Sequence, residues 1–155
     1  MKKYTILAFM LDRPGVLNKI VLLIRRKMYN IDTLTVCQTN QPDISRMTIA
    51  LKSDDEPKVL NMLKQIEKIT EVTSVELLDP DTSYWREVAL IKVLMDSHDW
   101  GKLKDEYDFA ILHQNRGQAI IQIAGTVDHI NDFIAEFEPD EILETARTGI
   151  TAMKQ

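Results

Sequence analysis

Hydrophobic residues change their spacing along this chain in a fixed order, and that order occurs twice. Residues 4–11 are apolar and β-forming and are stopped by Asp12-Arg13-Pro14-Gly15, the composition of a strand followed by a loop. From Val16 the period changes: Leu17, Ile20, Val21, Ile24 and Met28 fall at the i, i+3, i+4 spacing of a helix with one buried face. A loop residue near Asp12 is expected to supply the helix start, with Pro14 in the first turn. Tyr29-Asn30 leads into a strand over 31–38, β-branched at 31, 33, 35 and 36. The polar loop Thr39-Asn40-Gln41-Pro42-Asp43 turns it into a second strand over 44–52. An acidic helix start, Ser53-Asp54-Asp55-Glu56, precedes Val59, Leu60, Leu63, Ile66 and Ile69, and residues 72–78 close the series as a strand. Strand, helix, strand, strand, helix, strand within 78 residues predicts the split βαβ, ferredoxin-like arrangement.

Asp79-Pro80-Asp81-Thr82-Ser83 has the polarity and proline of a linker, and after it the order repeats. Residues 87–95 read as a strand and 99–107 as a short helix. Strands at 109–113 and 119–124 flank the turn Gln114-Asn115-Arg116-Gly117. Ile130, Phe133, Ile134 and Phe137 mark a helix over 127–137, and 142–146 supplies the last strand. The fold class expected is α+β, with two ferredoxin-like βαββαβ domains over residues 1–78 and 79–155.

Charge follows the same division. Residues 1–78 carry 12 Lys/Arg against 9 Asp/Glu, and residues 79–155 carry 7 against 15, so a balance of +3 gives way to −8. The acidic half argues against nucleic acid as a partner, because phosphate contacts need clustered positive charge. The one basic run, Arg25-Arg26-Lys27, fits the solvated end of a helix, where cations suit the dipole. No apolar run approaches the roughly 20 residues of a membrane-spanning helix. The first residues lack the apolar core and cleavage site of a signal peptide, and a single cysteine, Cys37, leaves no internal disulfide. These features point to the cytoplasm.

No catalytic constellation is present. His98, His113 and His129 are scattered; Asp96, His98 and Asp99 share one loop, but without a second cluster they read as hydrated rather than metal-binding. Cys37, mid-strand and without a neighbouring His or Lys, reads as an inert packed thiol, and Trp85 and Trp100 read as packing residues. There is no GxGxxG, GxxxxGK or GxSxG. More informative is the loop Asp12-Arg13-Pro14-Gly15. A helix start has N–H groups without internal partners, Gly15 lets a small anion approach them, and Asp12 offers an acceptor for an ammonium group. The residues alone leave two readings open, an amino-acid site and a plain strand–helix connection.

The ordered strings Asp12-Arg13-Pro14-Gly15-Val16-Leu17, Asn30-Ile31-Asp32-Thr33-Leu34-Thr35-Val36 and Ser45-Arg46-Met47-Thr48-Ile49 resemble the regulatory small subunits of acetolactate synthase (acetohydroxyacid synthase). Arg86-Glu87-Val88-Ala89-Leu90-Ile91-Lys92-Val93, Ala124-Gly125-Thr126 and Ala146-Arg147-Thr148-Gly149 extend the resemblance over nearly the whole chain. The resemblance implies an N-terminal ACT domain that binds an amino acid, and a homodimer in which two ACT domains meet edge to edge. It also implies a non-catalytic role beside a large catalytic subunit, which holds thiamine diphosphate, Mg²⁺ and FAD; no cofactor is expected in this chain. The small subunit would activate that partner and mediate feedback inhibition by valine or a related branched-chain amino acid. Carried over by motif, the effector-binding residues are Asp12, Gly15, Val16 and Leu17 with Asn30 and Ile31. The 96–107 stretch is shorter than the family's usual helix there.

Two other classes compete. A free-standing ACT-type sensor acting on another enzyme or a transcription factor would share the first domain, but the second half has neither a helix-turn-helix pattern nor a basic surface. A small ferredoxin-like enzyme would need an acid–base pair or nucleophile that the sequence does not offer.

Overall fold

The first strand, β1 (Lys2–Leu11), gives way to helix α1 (Val16–Arg26) at Gly15, whose φ of 88° lies in the left-handed region. That backbone, natural for glycine, reverses the chain so that α1 runs back across the sheet. The structure is a computed structural model that describes residues 1–95 and 99–155. After α1 come β2 (Ile31–Gln38), β3 (Ile44–Ser53), α2 (Glu56–Glu67) and β4 (Val72–Leu77). The strands form one antiparallel sheet in the order β2-β3-β1-β4, which leaves β2 at an edge.

Both helices press one apolar stripe on the same sheet face. Val16, Ile20 and Ile24 of α1 and Val59, Met62, Leu63 and Ile66 of α2 enclose Ile6, Ala8, Met47, Ile49 and Leu51. Each fully buried aliphatic side chain of this kind contributes about 1.5–3 kcal/mol. Leu60, expected on the buried stripe, is instead 43% exposed, and Met62 takes the inward position. α2 is capped as its sequence suggests: the Asp55 carboxylate accepts from the Lys58 N–H at 3.0 Å. β1 and β3 are also closed on the face away from the helices, where Thr5, Leu7, Thr48 and Ala50 are buried.

The second unit has the same order. β5 (Ser83–Leu94), α3 (Trp100–Glu106), β6 (Phe109–Asn115), β7 (Gln118–Gly125), α4 (Val127–Ala135) and β8 (Ile142–Arg147) follow in sequence. Its antiparallel sheet is ordered β6-β7-β5-β8. The expected hairpin turn sits at Arg116 (φ 49°) and Gly117 (φ 77°), both left-handed. An aromatic group of Trp100, Tyr107, Phe109, Phe133 and Phe137 fills the core beside α3 and α4, with ring centroids 5.2–6.3 Å apart.

The compact units divide between Tyr84 and Trp85, six residues beyond the expected boundary at 78/79. Leu78 is buried and its N–H bonds the Thr5 carbonyl at 2.8 Å, so the presumed linker begins inside the first unit. It continues as a single 3-10 turn, Pro80–Thr82, capped by the Asp79 side chain. By their contacts Ile150–Gln155, including β9 (Thr151–Lys154), group with the first unit, while β9 pairs with β5, which begins there at Ser83. Among the described residues no helix is long and apolar enough to cross a membrane.

Candidate functional site

The loop between β1 and α1 is held from both sides. Asp12 donates its N–H to the Asp43 carbonyl at 2.8 Å, across the end of the β2–β3 connection. Its Oδ2 accepts from Gln38 Nε2 at 2.8 Å, so the last residue of β2 fixes one carboxylate oxygen. On the other flank the Leu11 N–H donates to the Glu71 carbonyl at 2.8 Å, and Lys19 Nζ donates to Glu71 Oε1. The bonded Lys19 ammonium is the chief reason that the Glu71 carboxyl is held below the usual carboxylate range, and the Arg13 charge adds to the effect.

Inside this frame the start of α1 has no side-chain cap. Its N-cap is Gly15, one of the loop residues expected to supply the helix start, while Asp12 is engaged by Gln38 and Asp43. A Cβ built on Gly15 would meet no heavy atom within 4 Å, so space lies open beside Gly15, while the Val16 N–H donates to the Arg13 carbonyl at 3.4 Å. Asp12, Arg13, Pro14 and Gly15 are all exposed. The arrangement can take a small anion at the helix start and a cation at the Asp12 carboxylate, which is the charge pattern of a zwitterionic amino acid.

The six nominated residues separate into two groups. Asp12, Gly15, Val16 and Leu17 lie together at the start of α1, whereas Asn30 and Ile31 begin β2 at its other end. Register makes this unavoidable: Gln38 pairs with Ser45 and Met10 pairs with the same residue, while Ile31 and Tyr4 both pair with Leu51. At about 3.3 Å per residue the two groups are roughly 25 Å apart within one chain. Val16 also departs from expectation. Only 3% exposed, its side chain is part of the core, which leaves its backbone and not its side chain for a ligand. Leu17, 39% exposed, does face outward, Asn30 is exposed and Ile31 is half-buried against the core.

Sequence reasoning missed Gln38, Lys19 and Glu71, because each acts through a partner remote in sequence. It also misplaced Cys37, which is exposed on β2, since an edge strand has no neighbour on its outer side to pack the thiol. The other landmark motifs are structural. Thr126 caps α4 through the His129 N–H at 3.2 Å, and a Cβ on Gly125 would strike His129 Cδ2 at 2.7 Å. Glu87 is buried and paired with Arg147, while Asp99 caps α3 by accepting from Gly101 and Lys102 N–H at 3.1 and 3.2 Å. Asp96 and His98, close to it in sequence, lie outside the described residues. Among the described residues no three His, Cys, Asp or Glu side chains are grouped to hold a metal ion.

Comparison with known proteins matches the two halves separately. Residues 6–74 fit the family model described as the AHAS small subunit-like ACT domain, and residues 86–155 fit that described as the small subunit of acetolactate synthase. A probable acetolactate synthase small subunit of Archaeoglobus fulgidus is 35% identical over 154 residues, covering 97% of this chain and 96% of its own. The acetolactate synthase small subunit of Mycolicibacterium smegmatis is 30% identical over 155 residues, covering 98% and 91%. Among solved structures, that of the acetolactate synthase small subunit from Thermotoga maritima superposes with a TM-score of 0.91. It covers 100% of this chain and 98% of its own at 31% identity.

Proposed function

Because the chain belongs to the acetolactate synthase small-subunit family, we propose that it is the regulatory subunit of an acetolactate synthase, sensing a branched-chain amino acid at a site shared by two ACT domains. One observation carries this reading. The two groups of nominated residues lie at opposite ends of an edge strand, β2, which has β3 as its neighbour in the sheet.

Antiparallel pairing of β2 with the β2 of a second copy would satisfy its free N–H and C=O groups. It would also set residue 31 of one chain beside residue 38 of the other. Asn30 and Ile31 would then approach the partner's Asp12–Gly15 loop, and each of two equivalent sites would be built from both chains. β2 has the surface for such a contact. It carries no Lys or Pro, and Val36 is 39% exposed, with Leu17 and Met28 exposed on and after α1. An amino acid bound there places its carboxylate on the α1 N–H groups and its ammonium at Asp12. Its branched side chain lies against Leu17 or Ile31.

In this reading the chain acts on a catalytic subunit by binding, as the small-subunit family it belongs to supports. It favours an active arrangement of that partner, and an effector inhibits only if it binds the less active arrangement more tightly. The purified chain is expected to turn over no pyruvate alone and to raise kcat/KM of its catalytic subunit several-fold. An unchanged rate at saturating small subunit would refute the activation. A monomer mass by light scattering at micromolar concentration would refute the shared site. Capture of a DNA fragment in place of a thiamine-diphosphate enzyme would favour a free-standing sensor.

A further inference from the structure

Two carboxylates flank the β1–α1 loop, and they are held by different kinds of donor. Glu71 receives the Lys19 ammonium, the Arg13 charge adds to the pull, and its carboxyl lies below the usual range. Its charge is compensated. Asp12 Oδ2 instead accepts from Gln38 Nε2 at 2.8 Å, and that donor is a neutral amide. A carboxylate only accepts, so the contact fixes the amide with its nitrogen toward Asp12 and its oxygen turned away. Among the described residues no other side chain bonds the Asp12 carboxylate, and no Lys, Arg or His pairs with it. The aspartate is oriented while its charge stays uncompensated.

Gln38 is the last residue of β2, and the backbone of Asp12 is fixed without it, by the Asp43 carbonyl at 2.8 Å. What Gln38 sets is therefore the direction of the Asp12 side chain, not the path of the loop. On an exposed loop a free aspartate side chain rotates about two bonds, and a ligand would have to immobilise it. Fixing it beforehand removes that cost from binding. A lysine at position 38 would orient Asp12 as well, but would neutralise it as Lys19 neutralises Glu71.

We propose that Gln38 is a positioning residue that sets selectivity, holding Asp12 so that the site admits a zwitterionic amino acid and rejects the 2-oxo acid of the same side chain. This rests on the regulatory reading above. A branched-chain amino acid and its 2-oxo acid share the carboxylate offered to the helix start, and they share the apolar side chain. They differ in an ammonium group against a carbonyl oxygen. The ammonium donates to Asp12 and balances its charge. The carbonyl oxygen has nothing to donate, and the net negative charge of the 2-oxo acid meets a second negative charge. A site that leaves its own polar group unpaired rejects the wrong ligand far more strongly than a missing methyl group does. Rejection of this kind needs the carboxylate in one place, and Gln38 keeps it there.

Calorimetry on the full-length protein tests it, with valine, leucine and isoleucine and the 2-oxo acid of each as probes. The variants are Gln38→Met, Asp12→Asn and the two together, all near-isosteric and each checked for oligomeric state by light scattering. The wild type should bind its preferred amino acid at least about 100-fold more tightly than the matching 2-oxo acid. Gln38→Met should weaken the amino acid about tenfold, the loss of a hydrogen bond to a charged group, and leave the 2-oxo acid within about twofold. In the Asp12→Asn background the same change should cost less than about twofold, because the effect of Gln38 passes through that carboxylate. A Gln38→Met loss that is equal for both ligands, or undiminished beside Asp12→Asn, would overturn the role of Gln38 and leave the effector site standing. A wild type that takes the 2-oxo acid as tightly as the amino acid would overturn the selectivity in the same way. A wild type that binds none of the three amino acids would overturn the effector reading and this inference with it.

Discussion

The same structural position is treated differently in the two units. In each, the first strand is followed in sequence by a helix that packs on the sheet. In the second unit the helix start is closed by its own side chain, the Asp99 carboxylate accepting from two backbone N–H groups. In the first, Gly15 stands at that place, no side chain caps the helix, and the nearby carboxylate of Asp12 is held aside by Gln38. An Asp-capped helix start has a negative group in place already and repels another. An uncapped one framed by fixed neighbours can receive one. Shared topology therefore does not mean shared capacity: one fold position is closed by a cap in one unit and open in the other.

The comparison can be broken most decisively at Gly15. Gly15→Asp adds bulk and negative charge in front of the α1 N–H groups, and binding of the preferred branched-chain amino acid should weaken by at least about 100-fold, or ~2.7 kcal/mol. Aspartate tolerates left-handed backbone better than most residues, so the variant should remain folded. Calorimetry on protein shown dimeric by light scattering is the check; wild-type affinity would place the site elsewhere. Asn30→His should cost roughly tenfold, ~1.4 kcal/mol, by removing a compact amide at the far end of β2. An unaltered isotherm would separate Asn30 from the site and with it the shared geometry.

Asp99→Ala is the mirror experiment. Loss of the cap should lower the stability of the second unit by about 1 kcal/mol, seen as an earlier thermal transition, with amino-acid binding unchanged. The smallest effect is expected from pH. The Glu71 carboxyl lies below its ordinary value because Lys19 bonds it. Its contribution is present above the unfolded-state value of about 4.3 and is lost as pH falls through the lower folded-state value. Glu71→Gln should flatten the acid limb of a stability–pH curve slightly, and a limb of the same slope would show that the pair is without consequence.

Much of this architecture could be read from residue spacing, because a helix facing one layer must repeat its apolar positions. Ile20 and Ile24, or Ile130 and Phe133, reveal their helices before any contact is known. The loop at Asp12–Gly15 was legible for a similar reason, since glycine and proline mark where the chain must turn. Relations between distant strands were not legible. That Gln38 reaches Asp12 depends on the β1–β3–β2 register, which no local pattern encodes. Val16 carries the right character for a ligand contact, yet its place in the helix turns it inward. The return of residues 150–155 escaped notice because so short a segment shows no periodicity; only its contacts reveal where it belongs.

That return sets a clock on synthesis. Residues 1–84 carry every strand and helix of the first sheet, but Ile150–Gln155 are made only after the 65 residues of Trp85–Gly149. At about 5–20 residues per second this interval lasts roughly 3–13 s, while mixed α/β domains of this kind fold in milliseconds to about a second. For those seconds the nascent sheet has its helices in place and lacks the cover that Ile150 and Ala152 later bring. The first unit is thus the first to take shape and the last to be finished.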